Sequence, residues 1–212
     1  LHSYSTNAKE RETIPLWLAF GSVALALALT TGTKAIQFEI PWWVDAPSVM
    51  GFYGILYKVF NEFLWKKKLF KKMPLSSIPN LEGTWVGKVH SSYNGGTTTD
   101  EVVIYIHQNW TEIAIKIDAG KSRSCSTMAA VNTLDACEST LKYEYINDPA
   151  GQSVNTMNSH RGLVNLTLTP DEKELKGEYF TGRGRQTFGD MDFVRVSFDL
   201  LPRDKAILNY RP

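Results

Sequence analysis

A chain of 212 residues with a net charge of +1, 43% hydrophobic residues and a mean hydropathy of −0.22 has the makeup of a globular domain with an added apolar segment. That near-neutral balance argues against a general binder of DNA or RNA, which needs a broad excess of Lys and Arg to neutralise phosphates. Cys125 and Cys137 lack CxxC spacing and give no support to a zinc or thioredoxin-type site. Reduced, partly buried thiols are expected, with one disulfide in an exported domain as the alternative.

The chain opens on Leu1 rather than Met, which points to a start that is trimmed or lies upstream. Residues 1–13 read as a polar, flexible tail of mixed charge. Ile14 to Gly32 carries no charge over about 19 residues, close to the ~20 that cross a hydrocarbon core. Pro15 suits a first helical turn and Trp17 a headgroup level. The rival is a signal peptide with Leu16 to Leu29 as its apolar core, against which stand the acidic residues Glu10 and Glu12 and a second hydrophobic stretch.

After a connector, Thr33 to Ala46, that holds Pro41 and the interfacial pair Trp42 and Trp43, a second span is expected from Pro47 to Trp65. Lys58 and Glu62, four apart, share one helical face. They face a partner or water inside the bilayer, or mark a helix that has already left it near Tyr57. Five lysines between Lys66 and Lys72 directly abut Phe63, Leu64 and Trp65, as a stop at an anionic inner leaflet would. Residues 14–73 therefore read as a transmembrane hairpin with both ends cytoplasmic, followed by a linker over 74–80 rich in Pro and Ser.

Residues 81–212 read as all-β. About eight strand-like segments run over Gly83–Ser92, Glu101–His107, Glu112–Asp118, Ser122–Val131, Thr140–Asn147, Gly162–Thr169, Leu175–Thr181 and Asp190–Leu200. Period-2 alternation broken by turn signals predicts an antiparallel up-and-down barrel with helices short or absent. Asp204 to Pro212 is either an edge strand or a loop. Gly83-Thr84-Trp85 on the first strand resembles the opening of lipocalin and fatty-acid-binding-protein barrels, where Gly bends the chain and Trp closes the floor.

Tyr179, Phe180 and Thr181 lead into a glycine-rich turn bearing Arg183 and Arg185. Arginine forks suit phosphate, glycine permits close backbone approach, and tyrosine faces stack on bases. The functional reading is a barrel-mouth site for a small anionic, base-containing ligand. The structural reading is a solvated hairpin whose arginines pair with Asp190 or Asp192. Tyr143, Tyr145 and Asn147 share one strand face, as do Ser122, Ser124 and Ser126, and His160 opens another strand. The four histidines have no ligand spacing, so no metal is expected. No nucleophile elbow, P-loop or paired-carboxylate motif is present; no catalytic residue is assigned and an enzyme is disfavoured.

Two spans, a basic stop, then Leu81-Glu82-Gly83-Thr84-Trp85-Val86-Gly87, His107-Gln108-Asn109-Trp110, Leu141-Lys142-Tyr143-Glu144-Tyr145 and Tyr179-Phe180-Thr181-Gly182-Arg183 resemble the CD-NTase-associated protein fifteen family of bacterial CBASS anti-phage systems. The resemblance implies a receptor barrel, facing the cytoplasm from the inner membrane, whose activating ligand is a cyclic dinucleotide made by a partner nucleotidyltransferase. It also implies homo-oligomerisation, disruption of membrane lipids and death of the infected cell, with no cofactor. Its motifs do not transfer binding residues one by one. The site assigned from the residues themselves is Arg183 and Arg185 for phosphate, with Tyr179, Thr181, Tyr145, Trp110 and Ser126 around the bases. A membrane-tethered, lipocalin-like carrier of an apolar ligand is the alternative.

Overall fold

A computed structural model describes residues 1–35, 42–70, 73–74, 76–96, 98–134, 138–149, 159–182 and 185–210. They form two compact units, one of residues 8–77 and one of residues 1–7 with 78–212. Arg183, Cys137, Pro41, Lys71 and Lys72 lie outside the described residues.

The strand His2–Ser5 (β1) belongs to the larger unit and the helices Glu10–Ala35 (α1) and Trp42–Glu62 (α2) to the smaller. The N-terminal stretch is thus not a flexible tail: it is a strand followed by the first turn of α1, which begins four residues before the expected span. Glu10 and Glu12 in that turn complement the helix dipole. Glu10 also accepts from the Ser76 hydroxyl and, at 2.7 Å, from the Ser77 amide. Pro15 therefore sits inside the helix rather than in its first turn, where it has no N–H to give to the helical ladder.

Along α1 the hydroxyls of Ser22, Thr30 and Thr31 donate back to the carbonyls of Ala19, Ala26 and Leu27. An apolar helix thereby keeps its few polar groups satisfied from within. Trp17, Phe20 and Leu27 point outward, as a lipid-facing helix would place them. Among the described residues α1 alone is long and apolar enough to cross a membrane, a test of length and composition only. Lys58, Asn61 and Glu62 lower the apolarity of α2, and Gly21 of α1 approaches the Leu56 side chain.

The stop is not a continued helix. α2 ends at Glu62, a 3-10 turn covers Leu64–Lys66, and the strands Lys68–Phe70 (β2) and Met73–Pro74 (β3) pair with each other. Trp65 is buried there, with the Lys66 ammonium 5.7 Å from its ring centroid.

The eight predicted strands are all present: Gly83–Ser91 (β4), Thr98–Gln108 (β5), Glu112–Asp118 (β6), Ser122–Leu134 (β7), Glu138–Pro149 (β8), His160–Leu168 (β9), Glu174–Thr181 (β10) and Phe188–Ser197 (β11). They pair up-and-down and close as a barrel, but the ring holds nine strands because β1 enters it. β6 and β7 pair only from Lys116↔Cys125 to Asp118↔Arg123. Below that point they splay, and β1 fills the gap, antiparallel to β6 through His2↔Ile113 and parallel to β7 through Tyr4↔Ala129. The Tyr4 phenol donates to the Trp110 carbonyl at 2.8 Å and is buried with it.

The second departure from expectation is the tail. Arg203–Tyr210 (α3) is a short helix, neither edge strand nor loop. Val86 and Val103, outward-facing on β4 and β5, would otherwise meet water; Ala206, Ile207 and Tyr210 cover them. Arg203 locks the helix down through the carbonyls of Asp118 and Glu101.

The floor forms as the Gly-x-Trp motif predicts. Gly83 adopts φ +127°, where any Cβ would run into the Ser197 carbonyl, so glycine is required. Trp85 is fully buried and its indole N–H donates to the Leu81 carbonyl at 2.9 Å. Gln108 accepts from the Leu81 amide at 2.8 Å and donates to the Pro79 carbonyl at 3.2 Å. Above the floor, Ile104, Ile115, Tyr143, Leu166 and Phe193 fill the lower barrel without exposure. Each such large apolar side chain contributes about 1.5–3 kcal/mol on burial.

Candidate functional site

Hairpin parity decides what can meet at the mouth. The β4–β5, β6–β7, β8–β9 and β10–β11 connections lie at one pole, and the alternate connections at the other. The chain passes into β4 at the second, closed pole and leaves β1 there, since β1 runs parallel to β7. The first pole is open and holds a cavity of about 460 Å³, within the ~300–1,000 Å³ of small-molecule sites.

Val102, Ile117 and Met191 give the cavity an apolar base, and hydroxyls, tyrosines and charges ring it above. Tyr145 projects from β8 across Gly162 of β9, where a side chain would occupy the place of its ring. Its ring meets His160 edge-on, with centroids 6.2 Å apart. Burial pushes the Tyr145 phenol up to about 12, helped by Tyr179 and opposed by the Arg185 cation. Tyr179, from β10, donates its phenol to the Ser91 hydroxyl at 2.6 Å. Ser124 donates to the Asn147 side-chain oxygen at 2.9 Å, and both are buried.

The β10–β11 turn is pinned at its ends. The Thr181 amide donates to the Thr187 carbonyl at 2.8 Å, and the Gly182 amide to the Arg161 carbonyl at 2.9 Å. Gln186, at φ +50°, reverses the chain. This places the Arg185 guanidinium 5.4 Å from the Tyr93 ring centroid, with Nη1 3.4 Å from Nδ1 of His160. Lys121 adds a second cation and Asp100 a carboxylate to the lining of the same cavity. Arg185 makes no ion pair with Asp190 or Asp192 among the described residues, so its fork is not consumed by the solvated-hairpin alternative.

Of the predicted site residues, Arg185, Tyr179, Thr181 and Tyr145 converge on this cavity; Arg183 lies outside the described residues. Trp110 does not join them. It is buried at the opposite pole, in the β5–β6 connection, beneath Tyr4. Ser126 is also elsewhere: its hydroxyl accepts from the Ile115 amide at 3.0 Å and meets His2 at 2.7 Å, where β6 and β7 part. Tyr93, Lys121, Asp100, Ser91 and Thr187 escaped the sequence reading, although hairpin parity alone sets the first two at the mouth. Asn147, Ser122, Ser124 and His160, read as weaker candidates, do line it.

Cys125 is exposed rather than partly buried. Among the described residues no group of His, Cys, Asp or Glu is placed to hold a metal ion.

Comparison with known proteins agrees with both units. A family model described as "Cap15, cyclic dinucleotide receptor domain" matches residues 76–195, and one described as "Cap15, TM helices" matches residues 12–66. A CD-NTase-associated protein 15 from Yersinia aleksiciae is 32% identical over 183 residues, covering 85% of this chain and 86% of its own. Another of that name, from Escherichia albertii, is 26% identical over 150 residues, covering 66% of this chain and 75% of its own. An open mouth over a packed barrel, an apolar helix before it and matches running along both units place this chain in the Cap15 family, with that family's receptor domain and its membrane-helix region.

Proposed function

We propose that the barrel is the cytosolic sensor of a CBASS anti-phage effector and binds a cyclic dinucleotide at its open pole. The observation that carries this reading is the Arg185 guanidinium, held between Tyr93 and His160 above a cavity ringed by tyrosines and hydroxyls. Arg185, with Arg183 beside it in sequence, takes the phosphates through charge-assisted bonds. Tyr145 and Tyr179 offer ring surface to the bases, and Ser122, Ser124 and Asn147 offer hydrogen bonds to base edges or ribose. The name of the Yersinia and Escherichia relatives, together with the family description, supports a partner nucleotidyltransferase as the source of the ligand.

In this reading α1 and α2 form a two-span hairpin in the bacterial inner membrane, with the lysine run and barrel in the cytoplasm. Ligand favours an assembled form by its differential affinity for it, and the clustered spans then disrupt the bilayer. The Lys58–Glu62 face of α2 is the lipid-perturbing surface. No chemistry is required of the chain, which acts as a receptor and not an enzyme.

The apolar-carrier alternative needs an empty apolar interior, and here Trp85, Ile104, Tyr143 and Phe193 occupy it. Calorimetric titration of the detergent-solubilised full chain with cyclic di-GMP, cyclic di-AMP and cyclic GMP–AMP tests the assignment. Replacing Arg183 and Arg185 together by Ala abolishes binding while circular dichroism stays unchanged; undiminished affinity in that variant refutes the site. Cys125 supplies a topology probe, because a membrane-impermeant maleimide reaches it in intact spheroplasts only if the barrel is outside.

A further inference from the structure

Hairpin connections build the rim of the cavity, and they set its two cations against each other. Arg185 lies in the β10–β11 connection and Lys121 in the β6–β7 connection. Two strands part these connections in either direction, β4 and β5 one way and β8 and β9 the other, so the two side chains reach the cavity from opposite sides. Along β5 the side chains alternate, and Thr98, Asp100 and Val102 are the inward row. Because β5 pairs with β6, Asp100 stands on the Lys121 side of the mouth, and it is the one carboxylate among the described residues that line the cavity.

Neither group serves the barrel. Lys121 and Asp100 are both exposed, and neither forms an ion pair or a hydrogen bond with a described residue. The nearby Asp118 is buried and shared by Arg123 and Arg203, so its charge is not spent on Lys121. A carboxylate turned into a mouth that collects anions repels them, unless the ligand itself brings a hydrogen-bond donor to it.

We infer that Lys121 takes one phosphodiester of a cyclic dinucleotide while the arginine turn takes the other, and that Asp100 accepts a hydrogen bond from the exocyclic amine of a base. Both assignments rest on the nucleotide reading of the mouth and add to it which kind of dinucleotide fits. The two phosphodiesters of such a ligand lie across its ring from each other, so cations grouped on a single turn meet one and leave the other open. Lysine suits the second place, as a point charge on a flexible stem. An ionised carboxylate can only accept. Asp100 therefore favours the amino edge of adenine, guanine or cytosine and opposes uracil, whose N3–H is flanked by two carbonyl oxygens.

Calorimetric titration of the full chain in detergent with cyclic di-GMP, cyclic di-AMP and cyclic di-UMP tests both parts. Lys121→Met weakens the tightest of the three about tenfold, and Lys121→Arg restores most of that loss. Combined with Arg185→Met the two losses multiply, as anchors on separate phosphates require. The parent binds cyclic di-GMP and cyclic di-AMP about tenfold more tightly than cyclic di-UMP, and Asp100→Asn closes the gap, chiefly by raising affinity for cyclic di-UMP. Lys121 and Asp100 are exposed, so circular dichroism of each variant matches the parent. Equal gains for all three ligands in Asp100→Asn mean that the carboxylate merely repels anions, and they overturn the base assignment, as does a parent that prefers cyclic di-UMP. Undiminished affinity in Lys121→Met, with binding still dependent on Arg185, overturns the phosphate assignment and leaves the nucleotide reading standing. A parent that binds none of the three overturns that reading and both assignments with it.

Discussion

Arg185 lies over the Tyr93 ring, 5.4 Å from its centroid, and this contact ties the β10–β11 turn to the β4–β5 turn across the mouth. A guanidinium stacked on an aromatic face keeps its donors in the plane, free to meet a phosphate edge-on. Arg185→Lys keeps the charge and loses both the stacking and the fork. Cyclic dinucleotide affinity should fall about tenfold, or about 1.4 kcal/mol, by calorimetric titration. An unchanged dissociation constant would show that a point charge suffices.

Gly162 sits beneath the Tyr145 ring. Gly162→Val should push that ring out of its seat, weakening ligand binding at least tenfold while the floor tryptophans keep their native fluorescence. Loss of the folded signal together with binding would mean instead that the glycine serves the sheet.

Trp85 and Arg195 form the counterpart contact at the closed pole. The guanidinium carbon lies 4.3 Å from the Trp85 centroid and 4.5 Å from that of Phe198, and Nη2 donates to the Asn80 carbonyl at 2.6 Å. Burial lowers the Arg195 pKa to about 10, a cost that the attraction of Glu172 only partly offsets. Arg195→Lys should lower barrel stability by about 1–2 kcal/mol in urea unfolding, because an ammonium cannot lie flat between two rings. Nucleotide affinity, measured on the folded fraction, should not move.

The two buried phenols give the barrel an alkaline limit. Tyr145 keeps its proton to about pH 12 in the folded chain, whereas an unfolded tyrosine releases it near pH 10. The stability this group supports is complete below pH 10 and declines as pH rises from 10 towards 12, by at most about 2–3 kcal/mol. Tyr143, pushed up by burial and then by Tyr145, acts in the same direction. Tyr145→Phe should therefore flatten the fall of the urea midpoint between pH 9 and pH 11.5 without abolishing it. An identical fall in variant and parent would place the loss elsewhere.

Trp110 separates the two poles experimentally. Trp110→Phe should lower stability by about 1 kcal/mol or more through lost contacts and leave nucleotide affinity within twofold, since the residue sits beneath Tyr4 and away from the cavity. A large loss of affinity at constant fold would restore it to the binding site.

The eight barrel strands were readable because each runs for seven or more residues with side chains alternating between the barrel interior and its outside, and an alternating row of that length has few other solutions. β1 offers no such row: of its four residues only Tyr4 is buried, and the gap it fills is created by the short β6–β7 pairing far along the chain. α3 was hidden for a similar reason, with a single fully buried residue, Ala206, in eight. In the site, Arg185 and Tyr179 announced themselves through a turn whose composition already suited phosphate. Trp110 reads as an aromatic ring able to stack on a base, and composition alone does not say at which pole a ring lies. Its pole could have been counted off from the number of hairpins between it and Arg185. Ser126 followed the alternation of Ser122 and Ser124, which a bulge then interrupts.

β1 is the one stave of this cask delivered by a different plank of the sequence. A soluble fragment started after the helices, at residue 78, would carry every residue of the mouth and yet leave Glu112–Ile115 of β6 facing water along an unzipped edge. Such a fragment should stick to itself in the manner of any bare strand, so the size it adopts in solution reports the missing four-residue strand rather than the signal the intact chain responds to.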